Sequence, residues 1–378
     1  VEIFLLDFHK LLIKKIKLNT LKLYLKMENI IVNDAVKLLK DLISIKSFSG
    51  SENKTADTIQ NWFNDRKIKC YRKNNNVFAL NKKFDKKKPT LLLNSHHDTV
   101  LPNKAYTKDP FLAHVENGKL YGLGSNDAGG ALVSLISTFK YFYNVENLKY
   151  NIIIAATAEE ESSGPLGLNS LLIDLPKLDI AIVGEPTEMK LAIAEKGLLV
   201  LDVIIEGTPS HAAHENNDSA IEKLPDAINW FKNFKFEKIS KILGPVKVTV
   251  TQVNGGSQHN VVPSDVNLVV DIRVNDCYSN LEILQIIKKS SPYRIESRSL
   301  DLNSSSIDEN HGIVLAASKI GMEKYGSPTL SDQAKLNFPS IKLGPGDSKR
   351  SHTANEFIYL SEIETGIDLY IKLLKEIL

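Results

Sequence analysis

The sequence has little cysteine, no long apolar run and no excess of charge of one sign. Two cysteines among 378 residues, Cys70 and Cys277, lie in no CxxC spacing, which excludes a disulfide-stapled fold and fits a reducing compartment. No apolar stretch approaches the roughly 20 residues that cross a bilayer. Lys plus Arg number 47 and Asp plus Glu 45, so no basic surplus indicates nucleic acid. We therefore expect a cytoplasmic protein that binds neither nucleic acid nor a membrane.

The first 26 residues differ in character from the rest of the chain. They carry six lysines among Phe, Leu and Ile, without the continuous apolar stretch and small-residue cleavage site of a secretory signal. We expect residues 1–26 to be an N-terminal extension that is either not native or disordered. A helix that lies on a membrane surface is the alternative.

Apolar runs alternate with helical patterns from residue 33 onward. The runs 90–94, 151–156 and 180–183 are typical of strands buried on both faces, and the stretches between them repeat apolar residues at helical spacing. This alternation predicts an α/β fold in which helices cover both faces of a mostly parallel sheet.

A different pattern occupies residues 191–302. The predicted order is strand, helix, strand, strand, helix and strand, at 199–206, 219–234, 246–253, 267–274, 281–288 and 293–297. This βαββαβ order is that of the ferredoxin-like unit. We predict that 191–302 form a domain inserted into a discontinuous catalytic domain of residues 27–190 and 303–378.

Five segments place metal-binding types of side chain at the ends of predicted strands or on loops, where an α/β sheet gathers its site. They are 95–98, 122–127, 159–161, 184–187 and 344–353. Each alone has an ordinary explanation: a helix cap, a solvated acidic turn or a basic turn. Three adjacent carboxylates directly after a buried strand, however, repel one another unless a cation offsets them. Together the five segments predict a metal centre.

Other catalytic patterns are absent from the sequence. It contains neither a GxSxG nucleophile motif nor an HExxH zinc motif. The glycine-rich stretch 122–130 has Asp127 where a dinucleotide-binding motif needs its third glycine. The sequence therefore offers no pattern for a serine hydrolase, for an HExxH metalloprotease or for a nucleotide-dependent enzyme.

These motifs, in this order, resemble those of the acetylornithine deacetylase and succinyl-diaminopimelate desuccinylase family of di-zinc deacylases and peptidases. The resemblance covers residue 27 to the C-terminus and implies two zinc ions, which cobalt can replace. The implied metal ligands are His96, Asp127 (bridging both ions), Glu161, Glu185 and His352. It also implies Glu160 as the general base and Asp98 as the carboxylate behind His96.

Two departures from the family pattern concern this centre. The usual Asp-Met-Lys-Gly segment is Asp127-Ala128-Gly129-Gly130 here, so the loop around the bridging carboxylate is open to a different shape. His97, beside His96, makes the first ligand ambiguous, and strand alternation together with the HxD spacing favours His96.

The inserted domain resembles the lid and dimerisation domain of the same family, which implies a homodimer formed through it. The resemblance implies that His211 reaches across the dimer to the carbonyl oxygen under attack, and that Asn260 and Arg273 bind the substrate. We also expect Ser331 and Gly344 to contact the substrate.

The implied reaction is hydrolysis of the amide bond of a small N-acyl-L-amino acid. Residues 94–100, 121–130 and 328–334 most resemble acetylornithine deacetylase-type members, so the expected substrate is N-acetyl- or N-succinyl-L-ornithine, in arginine biosynthesis. Lys349 and Arg350 are either a solvated basic turn or a partner for a succinyl carboxylate. The alternatives are a succinyl-diaminopimelate desuccinylase, a dipeptidase or aminoacylase of the family, and a non-catalytic protein that binds an acyl amino acid.

Overall fold

A computed structural model describes residues 30–378, so the expectations for residues 1–26 lie outside it. Within the described residues, none of the helices combines the length and the hydropathy that a membrane span requires. Cys70 and Cys277 are both free thiols. The cytoplasmic location expected from the cysteine content stays a prediction.

The described part of the chain contains eight α-helices and eighteen strands. The helices are α1 (30–43), α2 (Asn53–Asp65), α3 (Gly130–Phe142), α4 (Leu168–Leu172), α5 (Leu224–Asn233), α6 (Asn280–Ser290), α7 (Gly312–Lys319) and α8 (Leu360–Ile377). The strands of the first half are β1 (Cys70–Lys73), β2 (Asn76–Leu80), β3 (Thr90–His96), β4 (His114–Glu116), β5 (Lys119–Tyr121), β6 (Asn151–Thr157), β7 (Ile180–Val183), β8 (Leu191–Glu195) and β9 (Gly197–Glu206). Those of the second half are β10 (Ser210–His211), β11 (Lys247–Gly255), β12 (Val261–Val262), β13 (Asp265–Val274), β14 (Arg294–Ser297), β15 (Ser305–Ser306), β16 (Lys324–Ser327), β17 (Ser340–Lys342) and β18 (Phe357–Tyr359).

The chain forms two compact units. The first comprises the described residues up to 177, with 184–189 and 344–378, and the second comprises 178–183 and 190–343. This division differs from the expected domains, which placed 303–343 with the catalytic part. It differs because β16 and β17 pair with β8 and β7, which ties these residues to the second unit. The domain boundaries of the sequence analysis stay a prediction.

The first unit is built on a buried pair of parallel strands. Its strands lie in the order β1-β2-β6-β3, and β3 runs parallel to β6 with His96 opposite Thr157. Every residue of both strands is buried, and α3, which also contacts α8, packs on β3 and β6. The two strands therefore end at the same edge, and the segments that follow them start side by side there.

The second unit holds a four-stranded antiparallel sheet in the order β11-β13-β9-β14. Along the chain, the elements run β9-α5-β11-β13-α6-β14, the predicted ferredoxin-like order. Strand β9 alternates buried and partly exposed residues, as a strand with one face on a core does. A capping box of Ser279 and Glu282 starts α6.

The second unit also contains β7, β8, β15, β16 and β17. The pairs β7–β17 and β8–β16 are parallel, whereas β15 is antiparallel to β8. Parallel strand pairs therefore occur in both units, β3–β6 in the first and β7–β17 and β8–β16 in the second. The predicted α/β fold class is confirmed.

Candidate metal centre

The side chains predicted to bind metal and the predicted general base converge within the first unit, at the ends of β3 and β6. The residues in this cluster are His96, Asp127, Glu160, Glu161, Glu185 and His352. Two triplets among the described residues bring their ligand atoms within 4.8 Å of one another: His96, Asp127 and Glu161, and His96, Glu160 and Glu185. Both triplets share His96, so that imidazole lies at the centre of the cluster.

His96 is the last residue of β3 and is 1% exposed. Its Nε2 lies 3.4 Å from Asp127 Oδ1 and 3.8 Å from Glu185 Oε1. Its Nδ1 faces Asp98 instead, 3.0 Å from the carbonyl oxygen and 3.3 Å from Oδ1. Burial lowers the pKa of His96, but hydrogen bonds to Asp127 and Asp98, together with the charges of the nearby glutamates, hold it well above its usual value. The ring thus directs Nε2 into the cluster while Asp98 holds its other nitrogen, as in carboxylate–histidine–metal triads.

His97 points away from the cluster. Its Nδ1 lies 2.9 Å from the Thr55 hydroxyl and its Nε2 lies 2.9 Å from the carbonyl oxygen of Asn75. Burial lowers the pKa of His97, which favours its neutral form. Strand alternation separates the two histidines, and His96 is the one that faces the carboxylates.

Asp98 ties the segment after β6 to the end of β3. Its carboxylate accepts hydrogen bonds from the backbone N–H groups of Glu160 and Glu161, each at 3.1 Å, and from the Ser49 hydroxyl. Burial opposes its ionisation, but the hydrogen bond and charge of His96 lower its pKa to about 2. An ionised Asp98 therefore places both glutamates at the cluster.

Glu161 and His352 meet on the exposed side of the cluster. His352 Nε2 lies 3.0 Å from Glu161 Oε2 and 3.7 Å from Asp127 Oδ2. The hydrogen bond to Glu161 raises the pKa of His352 to about 9, against the opposing effect of burial. This raised pKa favours a protonated imidazole beside the two carboxylates when no metal is bound.

Glu185 follows β7 on a short segment that is bonded to β3. Gly184 N–H donates to the Asn94 carbonyl oxygen at 2.6 Å, and the Ser95 hydroxyl donates to the Gly184 carbonyl oxygen at 2.8 Å. These two hydrogen bonds of Gly184 place the Glu185 carboxylate beside His96. Burial and the charge of Glu185 raise the pKa of Tyr370 well above its usual value.

The loop that carries Asp127 is held by a residue that the sequence analysis did not find. Glu356 is 2% exposed, and its carboxylate accepts hydrogen bonds from the N–H groups of Gly124, Asn126 and Asp127. Burial and the charge of Asp127 raise its pKa to about 8, while the bonds to these N–H groups lower it. Its one signal in the sequence is a carboxylate four residues after His352, and that spacing alone does not indicate burial.

His211, Asn260 and Arg273 lie in the second unit. His211 is exposed on β10, which pairs with β12, and Ala212 N–H donates to the Asn260 carbonyl oxygen at 3.0 Å. These two predicted residues are therefore neighbours. Arg273 donates two hydrogen bonds to Asp271, at 2.9 and 3.0 Å. A substrate carboxylate would have to compete with Asp271 for that guanidinium, and the functional roles of all three residues stay predictions.

Ser331 and Gly344 use their polar groups within the protein. The Ser331 hydroxyl donates to Glu195 at 2.7 Å and is 2% exposed. Gly344 N–H donates to the Thr187 hydroxyl at 3.0 Å. A substrate contact with either residue would require these bonds to open.

Arg350 is neither a solvated turn residue nor a free partner for a succinyl carboxylate. Its two terminal nitrogens donate to the Glu362 carboxylate at 3.0 and 2.6 Å. This two-point ion pair joins the turn before His352 to the first turn of α8. The structure assigns Arg350 to the support of that turn.

Comparison with known proteins relates the whole cluster to one family. Residues 92–376 match the sequence profile of Peptidase family M20/M25/M40. The acetylornithine deacetylase of Buchnera aphidicola subsp. Schizaphis graminum is 28% identical over an alignment of 375 positions that covers 90% of this chain and 97% of that protein. The [LysW]-lysine/[LysW]-ornithine hydrolase of Saccharolobus solfataricus is 26% identical over 93% of this chain and 99% of that protein.

Solved structures share the fold at lower identity. The M20 family metallo-carboxypeptidase Sso-CP2 from Sulfolobus solfataricus superposes with a TM-score of 0.70 at 17% identity, covering 90% of this chain and 98% of that one. A dinuclear metal binding peptidase from the M20 family of Bacillus subtilis superposes with a TM-score of 0.65 at 13% identity, covering 92% and 98%. At this identity, the likenesses establish the fold alone. The family profile, which spans most of the sequence, establishes more: the chain belongs to peptidase family M20/M25/M40 and is a metal-dependent hydrolase.

Proposed function

We propose that the chain hydrolyses the amide bond of a small N-acyl-L-amino acid with the help of two bound zinc ions, which cobalt can replace. The observation that carries this proposal is the convergence of four carboxylates around the buried His96. Carboxylates at such separations repel one another and are stable as anions only when cations offset them. Oxygen and imidazole nitrogen donors in this number suit a pair of zinc ions.

The donors divide naturally between two ions. His96 and Glu185 would hold one ion, Glu161 and His352 would hold the other, and Asp127 would bridge them, since its two oxygens face His96 and His352 separately. When bound, the ions supply Lewis acidity that lowers the pKa of a water molecule and polarises the amide carbonyl. Asp98 keeps the Nδ1–H of His96 engaged, so that Nε2 stays free to bind metal.

Glu160 is the proposed general base. Its Oε2 lies 4.0 Å from His96 Nε2, and its backbone N–H donates to Asp98. The Glu160 carboxylate is therefore beside the proposed metal ligands, and the proposed site does not need it as a ligand. It would take a proton from the attacking water as the oxygen adds to the amide carbon. It would then deliver that proton to the leaving nitrogen as the C–N bond breaks, which gives a carboxylate and a free amine.

We propose N-acetyl- or N-succinyl-L-ornithine as the substrate, and arginine biosynthesis as the pathway. Acetylornithine deacetylases are among the similar relatives, from Buchnera aphidicola and from Proteus mirabilis, the latter 26% identical. His211 from a second copy of the chain would donate to the carbonyl oxygen, while Asn260 and Arg273 would bind the substrate. Desuccinylation of diaminopimelate is the second candidate, because the succinyl-diaminopimelate desuccinylase 2 of Ruegeria sp. is 25% identical over 68% of this chain.

The substrate is tested with the zinc-loaded enzyme on N-acetyl-L-ornithine, N-succinyl-L-ornithine, N-succinyl-diaminopimelate and a dipeptide. We expect the highest kcat/KM for one of the two ornithine derivatives and loss of turnover after a chelator removes the metal. A higher kcat/KM for the diaminopimelate derivative would transfer the assignment to the second candidate. Absence of turnover on all four, with two ions bound, would contradict the proposed reaction.

Replacing Glu160 by Gln distinguishes a role as general base from a role as metal ligand. We expect kcat to fall by about 10²–10⁴-fold, because proton transfer by a positioned side chain contributes that much, while the variant keeps two ions per chain. Glu188→Gln is the matched control, since Glu188 is exposed three residues after Glu185, and its kcat should not change. Metal analysis and steady-state kinetics on both variants make the comparison, and a Glu160→Gln enzyme with full kcat would rule out this role.

The protonation of His352 depends on whether a metal is bound. Because its pKa is raised to about 9 in the metal-free protein, the ring should be protonated at pH 7 and lose its proton as the pH rises through about 9. Zinc requires the neutral ring and should keep it neutral at pH 7. Histidine-labelled protein measured by NMR with and without zinc, with His352→Asn to assign the signal, tests this. A His352 signal that titrates identically in both samples would contradict its role as a ligand.

A homodimer through the second unit is also proposed. Within the described residues, β11 is an edge strand that pairs with β13 alone, it is mostly exposed along its length, and Val253 is 47% exposed. Such an edge is suited to pairing with a second chain. Light scattering should give the mass of two chains, and Val253→Lys should lower it. The mass of one chain for the parent protein would exclude the dimer.

A further inference from the structure

Glu356 is a buried carboxylate that has no role in the proposed reaction. Its Oε2 accepts from Gly124 N–H at 3.1 Å, and its Oε1 accepts from Asn126 N–H at 2.8 Å and from Asp127 N–H at 2.9 Å. A buried carboxylate is tolerated only when its oxygens are hydrogen-bonded. Here the three backbone donors belong to one loop, the one that presents Asp127.

The backbone of this loop is irregular. Gly124 has a φ of +75°, and Asp127 departs from helical geometry within the π-helical turn Ser125–Gly129. The turn directs the N–H groups of Gly124, Asn126 and Asp127 toward the Glu356 carboxylate. The Asp127 side chain leaves the loop in another direction, toward His96 and His352.

The same bonds connect two metal-binding segments that are distant in sequence. Glu356 lies four residues after His352, so its bonds to the Asp127 loop span about 230 residues of sequence. Asn126 adds a second connection, since its side chain accepts from Asp347 N–H at 3.0 Å and donates to the Asp347 carbonyl oxygen at 3.1 Å. The relative position of Asp127 and His352 is therefore set by hydrogen bonds between their own segments.

We propose that Glu356 is a positioning residue for the metal pair: its carboxylate fixes the loop of Asp127 on the segment of His352 and so places the bridging carboxylate between the two ions. The inference rests on the proposed two-metal function, and it goes further by assigning a residue that touches neither substrate nor metal. Its consequence is that metal affinity depends on a side chain outside the ligand set.

The variant Glu356→Gln tests this role, with Glu364→Gln as the control. The glutamine amide keeps the size of the side chain but places an NH2 group against backbone donors, so it cannot accept all three bonds. Glu364 is an exposed carboxylate on α8 and has no bond to the Asp127 loop among those described. Zinc affinity is measured by chelator competition, coordination by the visible absorption of the Co2+-loaded protein, and folding by circular dichroism and Tm.

We expect Glu356→Gln to fold and to bind at least one ion about 10–100-fold more weakly, as is usual when a partner that orients a ligand is lost. Its Co2+ absorption should also differ from that of the parent protein. Glu364→Gln should keep the parent's zinc affinity and Co2+ absorption. A Glu356→Gln protein with a lower Tm but unaltered affinity and absorption would overturn the inference, because the carboxylate would then be only structural.

A second variant decides the matter if Glu356→Gln does not fold. Glu356→Asp keeps the carboxyl group but is shorter by one methylene and cannot reach the donors on both oxygens, so we expect weaker zinc binding from it as well. Parental affinity in a folded Glu356→Asp protein would equally overturn the inference. Zinc binding by the parent protein distinguishes the two-metal function from the role of Glu356. A parent that binds no zinc refutes the two-metal function itself. Equal zinc affinity in parent and variant refutes only the role of Glu356.

Discussion

Like-charge repulsion among buried carboxylates is the constraint on which the rest of this structure depends. Asp127, Glu160, Glu161 and Glu185 approach one buried imidazole, and none of the four side chains is more than 14% exposed. Without an ion, the compensation comes from His96 and His352, whose pKa values both rise. A pair of divalent cations would take over that compensation and release both rings as neutral ligands.

Two further carboxyl groups hold these carboxylates in place, and both do so by accepting backbone N–H bonds. Asp98 accepts from the two residues that follow Glu159, and Glu356 accepts from three residues of the Asp127 loop. A backbone donor fixes the main chain itself, so the adjoining ligand side chain starts from a defined position. The parallel strands β3 and β6 provide the common edge at which these loops begin.

Much of this arrangement could be predicted from local sequence patterns, because period and spacing are local properties. The ferredoxin-like order of residues 191–302 followed from alternation along β9 and from helical spacing in α5 and α6, and its predicted strands lie within two residues of those observed at most ends. Strand alternation also distinguished His96 from His97, which the structure turns toward Thr55 and Asn75.

What could not be predicted depends on partners that are distant in sequence. Ser331 is committed to Glu195, 136 residues away, and Glu356 to residues some 230 positions earlier. A single carboxylate or hydroxyl looks the same in sequence whether it meets solvent, substrate or its own backbone. Arg350 is an example, because its partner Glu362 lies in the next helix. The sequence of the basic turn alone does not indicate that partner.

The central claim is that this cluster is a two-metal centre, and anomalous diffraction from crystals grown with zinc tests it most directly. The account predicts two peaks roughly 3.5–4 Å apart, one beside His96 and Glu185, the other beside Glu161 and His352, with Asp127 between them. Crystals of the intact, zinc-saturated protein that show no peak among these side chains would contradict it.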